Sequence, residues 1–181
     1  MGHSRVLIIN GSHRKGNTDI LVEALKKEME GKVAEARELR LREIEMKLPT
    51  GYECNSESNI RIKDQFSEEI EPTIRNYDVY IVATPTYSDA VTPLVKIFWD
   101  RIVSWQDEKN MYLKGKKLAI VAHGTADESS WKHPIDWIKG VCEWEECGFG
   151  GGVTFKSGDE PGTIELNDVK IKKFIDGLLS I

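Results

Sequence analysis

Short apolar runs alternate with longer amphipathic segments along the whole chain. The runs at residues 5–10, 78–84 and 117–122 are rich in Val, Ile and Ala, as in strands that are covered on both faces. Residues 17–31 repeat apolar side chains at helical spacing, and Gly31 ends that helix. The pattern predicts five strands, at residues 5–10, 33–41, 78–84, 117–122 and 153–156, and five helices, at residues 17–31, 62–75, 93–105, 131–147 and 167–179.

Strands that alternate with helices indicate parallel pairing, because a parallel neighbour needs a crossover and a helix usually supplies it. The sequence therefore predicts an α/β fold, a three-layer doubly wound sheet of five parallel strands. Residues 33–41 alternate apolar and charged side chains, which is typical of an edge strand. We expect residues 43–58 to form a loop and the glycine-rich run 148–152 to form a flexible turn. No linker or repeat divides the 181 residues, which predicts a single domain over residues 1–181.

Composition and charge exclude several classes of protein. Hydrophobic residues make up 40% and charged residues 30%, as in an ordinary globular chain. The net charge of -5 argues against nucleic-acid binding, which needs a basic face. No apolar run approaches the roughly 18 residues of a membrane span, and the N-terminus lacks the features of a signal peptide. We therefore expect a cytoplasmic protein that binds neither nucleic acid nor membrane.

The cysteines and histidines do not predict a metal site. The cysteine count is odd, which argues against a disulfide framework. Cys142 and Cys147 lie about 140° apart around the predicted helix, so they do not share a face. The histidines show no ligand spacing. We expect free thiols in a reducing compartment and no bound metal. These residues are Cys54, Cys142, Cys147, His3, His13, His123 and His133.

The segment after the first strand has the composition of a phosphate site. Doubly wound sheets bind ligands beyond the carboxyl ends of their strands. Here that segment is NGSHRKGNT at residues 10–18, which brings glycines, hydroxyls and cations to a helix N-terminus. Capping of the helix by Asn17 or Thr18 is the alternative, but it accounts for only one residue of the segment. The segment matches neither the Walker loop nor the glycine motif of dinucleotide-binding folds. It also has no cysteine nucleophile, so we expect the phosphate to be bound rather than cleaved.

The segments after the third and fourth strands complete the candidate site. TPTYSDAVTP at residues 84–93 offers an aromatic ring, hydroxyls and backbone groups, which suit a flat and partly polar heterocycle. Thr92 and Pro93 are expected to begin the next helix. Gly124 permits a close approach to a ligand. His123 is either an acid–base group or a packing and hydrogen-bonding residue. Trp131 either covers a planar ligand or packs in the core or a subunit contact.

These motifs resemble the flavodoxin-like NAD(P)H-dependent FMN reductase family, which includes the iron–sulfur flavoproteins. The matching pieces are GSHRKGNT at residues 11–18, TPTYS at residues 84–88 and PLVKIFWDR at residues 93–101, within a likeness that covers residues 4–155. The resemblance implies a flavodoxin-like sheet of order 2-1-3-4-5 with FMN as cofactor. It places Ser12, Arg14, Asn17 and Thr18 at the phosphate, Pro85, Thr86, Tyr87 and Ser88 at the ribityl chain and ring, and His123, Gly124 and Thr125 beside the ring.

The resemblance also implies an activity. It points to an FMN-dependent oxidoreductase that takes hydride from NADH or NADPH and passes electrons to a flavin, quinone, azo or nitro compound. Because the flavin itself accepts hydride, we assign no catalytic side chain. A flavodoxin-like electron carrier and a non-enzymatic module for another phosphorylated ligand are the alternatives. The family commonly forms dimers or tetramers, so we expect a homodimer or homotetramer. Interface or core positions are predicted for Phe98, Trp99, Trp105, Tyr112 and Trp131.

Two positions depart from the family pattern. The iron–sulfur subgroup has a compact cysteine cluster after its second strand, where this chain keeps only Cys54. A cluster needs about four thiolates, so we expect no iron–sulfur centre. His13 stands where relatives often have a proline or an apolar residue, and the first loop is one residue shorter than in that subgroup.

Overall fold

The computed structural model describes residues 4–49, 62–103, 111–126 and 131–180. These residues form one sheet of parallel strands in the order β2-β1-β3-β4-β5, which confirms the predicted fold class. The strands are β1 (Arg5–Asn10), β2 (Glu35–Arg40), β3 (Val79–Pro85), β4 (Lys117–Gly124) and β5 (Gly148–Lys156), and the helices are α1 (Asn17–Met29), α2 (Glu71–Ile74), α3 (Pro93–Val103), α4 (Lys132–Trp144) and α5 (Asp168–Leu179). No helix among the described residues is long and apolar enough to span a bilayer.

Two apolar cores cover the two faces of the sheet. Successive side chains of a strand point to opposite faces, so β1 sends Val6 and Ile8 to one core and Leu7 and Ile9 to the other. The first core lies between the sheet and helices α1 and α5. The second lies between the sheet and helices α3 and α4. β1, β3 and β4 are therefore buried on both faces, as their apolar runs predicted, and β2 lies at the edge.

The glycine-rich run 148–152 belongs to strand β5, so the prediction of a flexible turn there is wrong. The glycines are needed because helices approach the strand closely from both faces. A Cβ atom on Gly150 would lie 2.3 Å from Cδ1 of Leu178 on α5, and one on Gly152 would lie 2.9 Å from Cγ1 of Ile135 on α4. Between them Gly151 has a φ of 105°, where the register with β4 shifts.

Helix α4 ends at Trp144, three residues before the predicted end. Glu146 takes a left-handed conformation with φ 52°, and the N–H of Cys147 donates to the carbonyl of Cys142 at 3.0 Å. This is the hydrogen bond that closes a Schellman motif. Cys147 is therefore outside the helix, and the predicted helical angle between the two cysteines does not apply. Within the described part of the chain no group of His, Cys, Asp and Glu side chains is arranged to hold a metal, and Cys54 lies outside it.

The predicted helix at residues 62–75 begins later and is irregular. It starts as a π-helical turn, Phe66–Ile70, and continues as α2. The carboxylate of Asp64 accepts the N–H of Ser67 at 3.0 Å, which caps the turn. Pro72 has no N–H to donate and its ring crowds the preceding turn, which disfavours a regular α-helical ladder here.

An ion pair buried under α3 fixes the chain on both sides of residues 50–61. Nη2 of Arg101 lies 3.0 Å from Oδ1 of Asp64, and Nη1 donates to the carbonyl of Lys47 at 3.0 Å. Burial by itself would raise the pKa of Asp64. Hydrogen bonds from Arg101 and from the backbone of Lys47 and Ser67 outweigh that effect and hold the pKa well below its usual range.

Four of the five aromatic residues considered for an interface are buried within the chain, so they serve as core. Exposed fractions are 0% for Phe98, 4% for Trp99, 2% for Tyr112 and 4% for Trp131. Trp105 lies outside the described residues.

Replacement of Gly150 by alanine is expected to lower the free energy of unfolding by about 1–2 kcal/mol, because the added methyl group collides with buried Leu178. Gly148→Ala is the matched control, because a Cβ there meets its nearest atom at an ordinary 3.6 Å. Urea denaturation of the three proteins measures the difference. Equal stabilities for both variants would contradict the proposed close packing of α5 on β5.

Candidate functional site

A pocket at the carboxyl edge of the sheet gathers residues that follow four strands. It has a volume of about 120 Å³ and lies over β1, β3 and β4, where the strand order reverses. The residues that line it are Ser12, Arg14, Gly16, Asn17, Thr18, Pro85, Thr86, Tyr87, His123, Gly124, Thr125, Ser157, Gly158 and Asp159.

Ten of the eleven residues predicted from the sequence line this pocket, and Ser88 does not. Ser88 lies at the tip of a tight turn in which Tyr87 and Ala90 exchange two backbone hydrogen bonds of 3.0 Å. Ser88 and Asp89 both have left-handed backbones, with φ of 48° and 61°, as in a type I′ turn. The turn holds Ser88 in solvent while Tyr87 stays at the pocket.

The loop between β1 and α1, residues 11–16, has the composition of a phosphate site, and we call it the phosphate-type loop. It lies directly against α3 because residue 11 has no side chain. The N–H of Gly11 donates to the carbonyl of Ala83 at 2.8 Å, and its carbonyl accepts the hydroxyl of Thr92 at 2.7 Å. A Cβ atom on Gly11 would lie 2.2 Å from Cγ2 of Val95. Thr92 also accepts the N–H of Val95 at 3.3 Å, which confirms it as the predicted cap of α3.

Short side chains shape the same loop from within. The hydroxyl of Ser12 donates to the carbonyl of Arg14 at 2.7 Å, and the N–H of Ser12 donates to Asn10 at 3.1 Å. The carboxylate of Asp19 accepts the N–H of Gly16 at 2.8 Å. Asn17 and Thr18, the first two residues of α1, line this wall of the pocket, and their N–H groups precede the first helical hydrogen bonds, as in anion sites at helix N-termini.

His123 is buried in the pocket wall and joins two hydroxyl side chains. Its Nε2 lies 2.8 Å from the hydroxyl of Thr18, and its Nδ1 lies 2.9 Å from the hydroxyl of Ser157. Burial lowers the pKa of His123 to about 4, so the ring is neutral near pH 7. With its hydrogen on Nε2, the ring donates to Thr18, and the hydrogen of that hydroxyl is free for an acceptor in the pocket.

The wall beside His123 is formed by two backbones in close contact. The N–H of Thr86 donates to the carbonyl of His123 at 2.8 Å. A Cβ atom on Gly124 would lie 2.1 Å from the hydroxyl oxygen of Thr86, so only glycine fits there without rearrangement. His123 and Gly124 are the last two residues of β4, which runs two residues beyond its predicted end.

An aromatic pair forms the outer rim. The rings of His13 and Tyr87 are stacked with centroids 5.8 Å apart and planes 5° from parallel. The stack bridges the loops that follow β1 and β3. Tyr87 is 43% exposed, so a flat surface remains accessible at the mouth of the pocket.

A model of the NADPH-dependent FMN reductase family matches residues 4–134. The chain belongs to this family. The family expected from the motifs is thereby confirmed, and FMN is its cofactor. Membership covers the loops after β1, β3 and β4, whereas the segment after β5 lies beyond the matched residues.

Individual proteins are similar to this chain in sequence or in fold. The chain is 32% identical over 97 residues to an iron–sulfur flavoprotein of Archaeoglobus fulgidus, which is 54% of this chain and 48% of that protein, so it spans about half of that relative's length. The Trp repressor binding protein from Bacillus subtilis superposes with a TM-score of 0.65 at 21% identity, covering 94% of this chain and 95% of that one. An FMN-dependent NADH-azoreductase from Bacillus anthracis str. Ames Ancestor, in complex with FMN, gives 0.65 at 11% identity over 96% of each chain. These two structures show the fold alone.

Ser157, Gly158 and Asp159 also line the pocket, after β5, and they are not among the residues predicted from the sequence. The signal that points to them is their place directly beyond the carboxyl end of a parallel strand, where ligands of doubly wound sheets bind.

The buried neutral state of His123 predicts a loss of stability in acid. The unfolded chain binds a proton on this histidine at an ordinary pKa near 6.5, whereas the folded chain resists protonation until about pH 4. The contribution of His123 to the free energy of unfolding is therefore complete above pH 6.5. It falls as the pH drops towards 4, by up to about 3 kcal/mol. Urea denaturation of the wild type and of His123→Gln at pH 7, 5.5 and 4 measures it. The stability difference between the two proteins should shrink towards pH 4, and a constant difference would contradict the burial of a neutral ring.

Proposed function

We propose that this protein binds FMN in the pocket, takes hydride from NADH or NADPH, and passes electrons to a small acceptor such as a flavin, quinone, azo or nitro compound. The observation that carries the proposal is the union of an anion site and an aromatic rim at the point where the strand order reverses. A flavin mononucleotide has a phosphate at one end and a flat, partly polar ring at the other. Cytoplasmic location and assembly as a homodimer or homotetramer stay predictions.

The closed part of the pocket fits the phosphate end. Arg14 offers a guanidinium, Thr18 offers a hydroxyl whose hydrogen is free in one tautomer of His123, and α1 offers its first two N–H groups. The ring belongs at the open rim, where Tyr87 is exposed. There Pro85, Thr86 and Tyr87 provide one wall and the end of β4 provides the other.

The side chains of the protein contribute to the reaction by holding and orienting the bound molecules. When bound, FMN supplies the hydride acceptor that no protein side chain has. The His123 ring is neutral and both of its nitrogens are engaged, so it holds the Thr18 hydroxyl rather than delivering a proton. Gly124 lets the β4 backbone approach the ligand, and Tyr87 presents a ring face on which a flat molecule can stack.

Arg14→Ala is expected to weaken FMN binding ten- to hundredfold, about 1.5 to 3 kcal/mol, because a charge-assisted hydrogen bond to the phosphate is lost. Riboflavin lacks the phosphate and should bind both proteins alike. Lys15→Ala is the matched control, since Lys15 has the same charge but lines a separate groove with Asp19 and Arg40. Isothermal titration of each protein with both ligands measures these affinities. Equal losses of affinity for FMN and riboflavin would show that Arg14 does not contact the phosphate.

The activity is tested by anaerobic stopped-flow mixing of the FMN-loaded protein with NADPH and, separately, with NADH. Bleaching of the visible flavin band within the first turnover is expected with at least one donor, and a quinone should then restore the band. Protein that retains FMN but is reduced by neither nucleotide would be an electron carrier rather than a reductase. Protein that binds no FMN would contradict the proposal altogether.

A further inference from the structure

The segment after β5, residues 157–163, lies at the end of the pocket that is proposed for the phosphate, and Asn17 makes most of the side-chain contacts that hold it there. The amide nitrogen of Asn17 has two hydrogens, which three acceptors share: the carbonyls of Gly158 at 3.1 Å and Glu160 at 3.0 Å and the hydroxyl of Thr163 at 3.1 Å. Its amide oxygen accepts the N–H groups of Gly162 at 2.8 Å and Thr163 at 3.1 Å. We call residues 157–163 the cover segment.

Asn17 is itself 93% buried, whereas its partners in the cover segment are exposed. Both ends of its amide are engaged with the cover segment, which leaves little capacity for a ligand. Two further contacts close the same end of the pocket. The guanidinium of Arg14 donates to the carbonyl of Asp159, and the ring of Pro161 lies 3.8 Å from the Cβ position of Gly16.

We propose that the cover segment, clasped by Asn17, makes the site select a flavin mononucleotide over a flavin dinucleotide. This inference rests on the proposed function. A mononucleotide ends at its phosphate, which fits a pocket closed at that end. A dinucleotide continues from that phosphate into a second phosphate and an adenosine, and these would have to pass through the cover segment.

Charge acts in the same direction as shape. Asp159, which lines the pocket, and Glu160 beside it place two exposed carboxylates on the cover segment. A second phosphate would bring more negative charge to these carboxylates, and like charges at short range repel. Arg14 is the one cationic residue among those that line the pocket, so the lining offers a guanidinium for a single phosphate.

Asn17 is thus a positioning residue, which acts on the ligand through the cover segment. Asn17→Ala removes all of these contacts with the cover segment. Asn17→Asp keeps an acceptor for Gly162 and Thr163 but turns a carboxylate oxygen towards the carbonyls of Gly158 and Glu160, so it should also release the cover segment. Thr18→Val is the matched control, because it removes a hydroxyl from the same pocket and helix turn but keeps the contacts of Asn17 with Gly162 and Thr163. Among the described residues, Thr18 is linked to the cover segment only through His123, at Ser157.

The experiment has two measurements, both made on the full chain. Hydrogen exchange of the ligand-free proteins reports whether the amides of Gly162 and Thr163 are released. Titration with FMN and with FAD reports the ratio of the two affinities. We expect the wild type to prefer FMN at least a hundredfold. Both Asn17 variants should exchange these amides at least tenfold faster and reduce the preference at least tenfold, whereas Thr18→Val should weaken both ligands alike with unchanged exchange.

Other outcomes overturn the inference in distinguishable ways. Faster exchange with an unchanged preference would mean that the cover segment does not select. A changed preference with unchanged exchange would mean that Asn17 acts directly on the ligand. If the wild type binds FMN and FAD equally, the proposed function stands but the cover segment does not select between the two flavins. If the wild type binds neither, both the proposed function and the selection are contradicted. If Asn17→Ala does not fold, Thr163→Val weakens the same contacts at an exposed position that does not line the pocket.

Discussion

The site depends on how closely the end of β1 approaches α3. Gly11 has no side chain, and its two backbone groups are bonded to Ala83 and Thr92, so the phosphate-type loop is fixed to the neighbouring strand and to the next helix at once. Because Thr92 also caps α3, one hydroxyl connects the first loop with the start of that helix. Any larger residue at position 11 would push the loop away from β3 and open the floor of the pocket.

A second constraint is the buried series of hydrogen bonds that connects Thr18, His123 and Ser157. It joins the N-terminus of α1, the end of β4 and the start of the cover segment through two hydrogen bonds shorter than 3.0 Å. Buried polar groups are costly when unpaired, so this series favours one arrangement of the three segments. Site geometry is thereby set by contacts between elements far apart in sequence, and not by the motifs alone.

The parts of the fold and site that the sequence predicted are those set by local patterns. Apolar runs identify β1, β3 and β4, and the composition of residues 10–18 identifies an anion site, because each signal lies within one segment. The prediction of a turn at the glycines of β5 is wrong because the need for glycine there comes from residues distant in sequence. Leu178 and Ile135, on the two helices that cover this strand, leave no room for larger side chains. The cover segment was missed for the same reason: its attachment to Asn17 joins residues more than 140 positions apart.

The buried pair of Arg101 and Asp64 has a consequence for how α3 can vary. It fastens the positions near 47 and 64 to this helix. Breaking a buried ion pair by removing one partner costs about 3–5 kcal/mol, because the other charge stays buried without compensation. Position 101 of α3 is therefore tied to position 64, and a change at either is tolerated only together with a change at the other.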